Sequence, residues 1–145
     1  MFCSIFSKIE IDAPAEKVWN AFIDFARYPQ WNPLITQIRG KPERGQRLQL
    51  TLSIYSNKKL NFNTRIRDII RNAELHCSSS LGFPFLFDCD YVCQLEIVTK
   101  SRTLLKQWFK VSGLFVPLFI IIYKKKLSEG FSRHNIALKN LVVGR

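Results

Sequence analysis

From residue 3 to residue 12 apolar and charged positions take turns. Ile5, Ile9 and Ile11 fall on one parity and Lys8, Glu10 and Asp12 on the other, the period-2 signature of a half-buried strand. Asp12 or Ala13 then stands where a helix cap is expected, and Pro14 suits a first helical turn, where a missing N–H needs no partner. Val18, Trp19, Phe22, Ile23 and Phe25 supply the apolar stripe of that helix, which breaks near Arg27. In Tyr28-Pro29-Gln30-Trp31-Asn32-Pro33 two prolines restrict the residues before them, so a short helical turn or compact loop closes one end of the fold. Trp19 reads as core. Trp31 reads as an anchor for its turn against the sheet's end, with Asn32 bonding nearby backbone as Asn does in turns.

Strands follow at 34–39 and 47–55 around a basic loop at 40–45, and Leu48, Leu50, Leu52 and Ile54 share one face. Over 60–71, Leu60, Phe62, Thr64 and Ile66 point one way and Asn61, Asn63, Arg65 and Arg67 the other. Segments 74–81 and 87–98, joined by a Gly82-Phe83-Pro84 turn, and 103–113 complete the set. A symmetric hairpin puts Cys77 opposite Tyr91 and Ser79 opposite Cys89, all on the concave side. Alternation with one wet face belongs to antiparallel sheets, so a curved, one-sided sheet of about seven strands is predicted. Segment 115–142 is apolar and then basic, with Ile120, Tyr123, Leu127, Phe131, His134, Leu138 and Leu141 at helical spacing. Gly130 inside this stripe costs about 1 kcal/mol against Ala, which points to a close neighbour there, a ligand or a bulky strand residue.

The order strand, two short helices, six strands, long helix resembles the START/SRPBCC helix-grip superfamily, and especially its polyketide cyclase/dehydrase-like branch. The resemblance is carried by the run from Ile9 through Pro14 to Trp19 and by Tyr28-Pro29-Gln30-Trp31-Asn32-Pro33. Gly45, Leu114-Phe115-Val116-Pro117 and Asn135-Ile136-Ala137-Leu138-Lys139 add to it. It implies an α+β helix-grip fold, a curved antiparallel sheet wrapped around a long C-terminal helix with an apolar cavity between them, and hence a binder of hydrophobic small molecules. In cyclase-like relatives the sixth strand often carries His, the seventh Glu and the fifth Trp. The corresponding positions here are Tyr91, Phe109 and Cys77. No inward Asp or Glu replaces the carboxylate, which favours binding over catalysis.

The 145 residues, 47% hydrophobic with twelve Phe, suit one globular domain over 1–145. The longest apolar run, 114–123, is about half of the ~20 residues a spanning helix needs, and Pro117 interrupts it. Without a secretory signal, a soluble cytoplasmic protein is expected. Cys3, Cys77, Cys89 and Cys93 lack paired C-x-x-C spacing and read as free, buried thiols. His76 and His134 fall on opposite faces with no carboxylate cluster, so neither a metal site nor a cofactor is implied.

A net charge of +11 would attract any polyanion. The basic residues are scattered over 39–47, 58–59, 65–71, 100–110 and 124–126, however, and no nucleic-acid-binding pattern accompanies them. Arg65, Arg67, Lys106 and Lys110 lie on outward phases. A solvated basic surface is expected, with no specific nucleic-acid partner.

Projected inward, the alternation gathers Thr64, Cys77, Ser79, Cys89, Tyr91, Cys93 and Gln107 from the strands and His134 from the helix. Leu50, Leu52, Phe62, Phe109, Leu127, Phe131 and Leu138 make the rest of the candidate ligand-binding surface. A mostly apolar pocket with a few placed polar groups is what a small-molecule site looks like. The leading reading is a carrier or sensor for a lipid, isoprenoid or polyketide-like ligand, with specificity from Tyr91, Gln107 and His134. One alternative is a cyclase- or dehydratase-type enzyme pairing Tyr91 with His134, whose ordinary pKa near ~6.5 suits a general base. The other is lipid delivery at anionic membrane surfaces, with contact through 114–123 and Lys124-Lys125-Lys126.

Overall fold

The computed structural model of the chain describes residues 2–55, 58–80 and 86–144. Strand β1 (Phe2–Ile11) realises the opening alternation, with Cys3, Ile5 and Ile11 buried. Helix α1 (Ala15–Ile23) buries Val18, Trp19 and Phe22. It is followed by a 3-10 turn (Phe25–Arg27) and the short helix α2 (Tyr28–Trp31). The residue at the N-cap of α1 is Pro14, in extended geometry, rather than Asp12 or Ala13. Asp12 is drawn away by Arg102, whose Nε donates to its Oδ1 at 3.1 Å, and the Ala13 N–H is taken by the Ile11 carbonyl.

The remaining strands are β2 (Ile35–Arg39), β3 (Arg47–Tyr55), β4 (Lys58–Ile70), β5 (Glu74–Ser80), β6 (Asp88–Thr99) and β7 (Arg102–Ser112). Together with β1 they form one antiparallel sheet in the order β1-β7-β6-β5-β4-β3-β2, curled into a half-barrel. The β5–β6 register is the expected one: Cys77 faces Tyr91 and Ser79 faces Cys89. The Gly82-Phe83-Pro84 turn lies outside the described residues. In β4 a register shift between Ile66 and Asp68 leaves Arg67 out of the ladder, and its Nε donates to Ser78 Oγ instead.

The C-terminal helix runs without a break through α3 (Val116–Phe119), a π-helical turn (Ile120–Lys124) and α4 (Lys125–Val143). Leu127, Phe131, His134 and Leu138 share the buried face of the helix, as their spacing requires. Ile120 and Leu141 do not; both are exposed. Ahead of the wide π turn the inward positions are Val116 and Phe119. At the far end Val142 takes the buried place, in the cluster that holds Val18 and Trp19 of α1. The close neighbour of Gly130 is a side chain: a Cβ there would stand 2.6 Å from Cδ1 of Leu34. All four cysteines are free and buried.

Candidate functional site

Between the half-barrel and the helix lies a cavity of about 520 Å³, within the range of small-molecule pockets. It follows directly from strand alternation. β3 contributes Leu48, Leu50, Leu52 and Ile54, and β4 contributes Leu60, Phe62 and Thr64. Opposite them stand Leu127 and Phe131 of α4, with Cys77, Tyr91 and Phe109 from β5, β6 and β7. Tyr91 stacks on Phe131 with centroids 6.3 Å apart and planes 8° from parallel, and Phe109 meets Phe131 at 6.1 Å. The result is an aromatic wall.

The polar groups of this lining are largely committed elsewhere. Thr64 Oγ1 donates to the Ser78 carbonyl at 3.1 Å. The Tyr91 hydroxyl donates to Gln107 Oε1, and burial, its largest cause, pushes its pKa well above the ordinary phenol value. Burial pushes the Cys77 thiol up to about 12, so it stays protonated and apolar in character.

Six predicted inward residues are not in the lining: Ser79, Cys89, Cys93, Gln107, His134 and Leu138. Ser79 sits one pleat beyond Cys77 on β5. Cys93 and Leu138 are buried with Leu105 in one apolar cluster. Gln107, beneath the Tyr91 hydroxyl, passes the chain of bonds on: its Nε2 donates to Asn135 Oδ1 of α4 at 2.5 Å.

His134 is fully buried and faces the Trp31-Asn32-Pro33 turn. Asn32 Oδ1 accepts from the backbone N–H groups of Leu34 and Ile35, both at 2.9 Å, which fixes the amide so that Nδ2 donates to His134 Nδ1 at 2.7 Å. Nδ1 is therefore an acceptor, and the neutral ring carries its proton on Nε2. Burial lowers the His134 pKa to about 4. Trp31 lies against this ring at 5.6 Å, so it anchors its turn on the helix rather than on the sheet's end. Tyr91 and His134 thus do not form an acid–base pair in the cavity. His76 pairs with Asp90 at 3.1 Å in an exposed bond.

Other lining residues fell outside the sequence reading. Phe22, Tyr28 and Leu34 come from the N-terminal third, and their own apolar character was the only signal they carried. Phe115, Leu118 and Ile122 line the cavity while being exposed on the other side, so the mouth lies beside α3 and the π turn.

Fold and cavity together define a helix-grip protein with an apolar interior, and comparisons agree. The family model described as polyketide cyclase/dehydrase and lipid transport matches residues 3–73. A START superfamily protein from Mycobacterium smegmatis superposes with a TM-score of 0.76 at 24% identity, over 97% of each chain. Norcoclaurine synthase from Thalictrum flavum gives 0.76 at 11% identity, over 99% of this chain and 96% of that one. The Zhui aromatase/cyclase from Streptomyces sp. R1128 gives 0.72 at 15%, over 99% and 93%. No curated protein matches the chain in sequence. These likenesses establish the helix-grip fold, and the match to the polyketide cyclase/dehydrase and lipid transport family covers the N-terminal part of the chain, residues 3–73.

Proposed function

We propose that this protein binds a hydrophobic small molecule of lipid, isoprenoid or polyketide-like type in its cavity and acts as a carrier or sensor. One observation carries the reading: a cavity of about 520 Å³ whose walls are aliphatic and aromatic, with the Thr64 and Tyr91 hydroxyls already donating to protein acceptors. Such a surface offers no charged clamp. It rewards apolar area instead, at about 25 cal/mol per Å² removed from water. The order of the family's description, cyclase, dehydrase and lipid transport, is compatible with either chemistry or carriage. The Gln107 bond on Tyr91 and the place of His134 outside the lining favour carriage, because the Tyr91 hydroxyl already donates within the protein and His134 does not border the cavity.

Native mass spectrometry of protein purified without detergent tests the reading, since a bound ligand reports its own mass. An apolar dye whose emission rises on binding, displaced by long-chain lipids but not by short polar metabolites, is the expected companion result. A protein that carries no ligand and binds no dye would refute it. Turnover of a polyketide or phenolic substrate that is lost in Tyr91→Phe would favour the enzymatic alternative.

A further inference from the structure

Residues 114–122 bury only Val116 and Phe119. Leu114 is 75% exposed, Leu118 54% and Ile121 82%, and Phe115, Ile120 and Ile122 are exposed beside them. Single exposed apolar residues are ordinary, but so many along one short turn mark an interaction surface. Lys124, Lys125 and Lys126 follow at once and are all exposed. Among the described residues only Lys126 of the three has an ion-pair partner, Glu129 at 4.0 Å, which is also the sole carboxylate in 114–129. Lys58 and Lys59 are likewise exposed, next to the lining residue Leu60. No helix of the described residues is long and apolar enough to cross a membrane, so this surface would lie on a bilayer rather than span it.

We propose that the apolar turn at 114–122, flanked by these lysines, docks on an anionic lipid bilayer and sets the cavity mouth against it. Phe115, Leu118 and Ile122 belong to both surfaces: they line the cavity and face outward. Sinking the turn among acyl chains therefore makes one apolar path from the bilayer to the interior. The charge favours a membrane over a second copy of this chain, because a chain of net charge +11 would bring lysines against lysines. The inference deepens the carrier reading and rests on it for the identity of what passes through the mouth. Docking itself is independent of that cargo.

The test is sedimentation of the full chain with phosphatidylcholine vesicles, with and without phosphatidylglycerol, at low and high salt. Binding is expected only with the anionic lipid, and it weakens as salt rises. Lys124→Gln and Lys125→Gln should each weaken it about fivefold, the loss of one near-surface charge. The double variant Leu114→Asp/Ile121→Asp, at two positions outside the cavity lining, should abolish sedimentation. Dye binding in buffer should be unchanged in every variant, which separates a failure of docking from a failure of the carrier reading. Wild-type protein that ignores anionic vesicles would overturn the proposal, as would a double variant that sediments normally. Dimerisation in buffer that Leu114→Asp/Ile121→Asp abolishes, without vesicle binding, would assign the turn to a second copy.

Discussion

The two ends of the C-terminal helix are built to opposite rules. From Leu127 to Val142 its inward face is buried and held by polar latches: Asn32 to His134, and Gln107 to Asn135. From Val116 to Lys124 it carries a π turn and turns apolar side chains to both the cavity and the outside. A latched element resists opening up to the stability of the whole domain, whereas an end held by few buried contacts opens at lower free energy. π turns also recur at functional sites within otherwise regular helices. The helix is therefore clamped at one end, where the fold is specified, and free to yield at the other, where a ligand must enter.

Truncating a leucine at each end gives the widest contrast. Leu138, fully buried, should cost about 3–4 kcal/mol on replacement by Ala, the range for core deletions. Leu118→Ala, at an exposed position, should stay within about 0.5 kcal/mol while changing the rate of dye entry. Urea melts and stopped-flow fluorescence measure the two. Equal destabilisation at both positions would erase the distinction between clamped and open ends.

Next in size is the pH response of the clamp. The folded His134 pKa of about 4 lies below its unfolded value near 6.5, so the unfolded chain binds the extra proton between those values. Stability from this residue is complete above about pH 6.5 and falls as the pH drops towards 4, by about 3 kcal/mol over the interval at 1.36 kcal/mol per pH unit. His134→Gln keeps an acceptor for Asn32 but cannot titrate, so its melting midpoint should vary less from pH 6.5 to 4 than that of the wild type. Parallel pH profiles for the two proteins would show that the imidazole is not buried neutral. Asn32→Ala comes third. It removes the acceptor of two backbone N–H groups and the donor to His134, and should cost about 2 kcal/mol. Dye affinity should hold, since Asn32 is not part of the lining.

These latches also mark where the sequence stopped being legible. Strand parity placed Leu48, Leu50, Leu52, Phe62 and Thr64 on the cavity side because a period of two is a local property of the chain. The Cys77–Tyr91 register followed from hairpin symmetry for the same reason. Asn32 and His134, in contrast, are 102 positions apart, and nothing near either residue tells that they meet. Inward parity alone made Gln107 and His134 candidate ligand contacts. It could not show that both side chains are bonded within the protein there, Gln107 to Asn135 and His134 Nδ1 to Asn32, rather than to a guest. The apolar run at 114–123 with its lysines was legible as a membrane contact, but not that Phe115, Leu118 and Ile122 would belong to the cavity lining as well, since that depends on distant strands.

Gly130 joins the two ends, and the smallest effect comes from filling it. Ala at this position gains about 1 kcal/mol of helix propensity, but its Cβ would stand 2.6 Å from Leu34 Cδ1, a clash that in a sealed core costs about 1–3 kcal/mol. Leu34 is itself a lining residue, so its terminal methyl has the cavity to turn into. The opposing effects should then nearly cancel, leaving Gly130→Ala within about 1 kcal/mol of wild type. The methyl group would take space from the ligand. Affinity for a bulky ring system should fall while that for a thin acyl chain is kept, as dye displacement by each would report. A stability loss beyond about 3 kcal/mol with unchanged ligand preference would mean that Leu34 cannot move, and that the clamp reaches further towards the mouth than the two hydrogen-bonded latches.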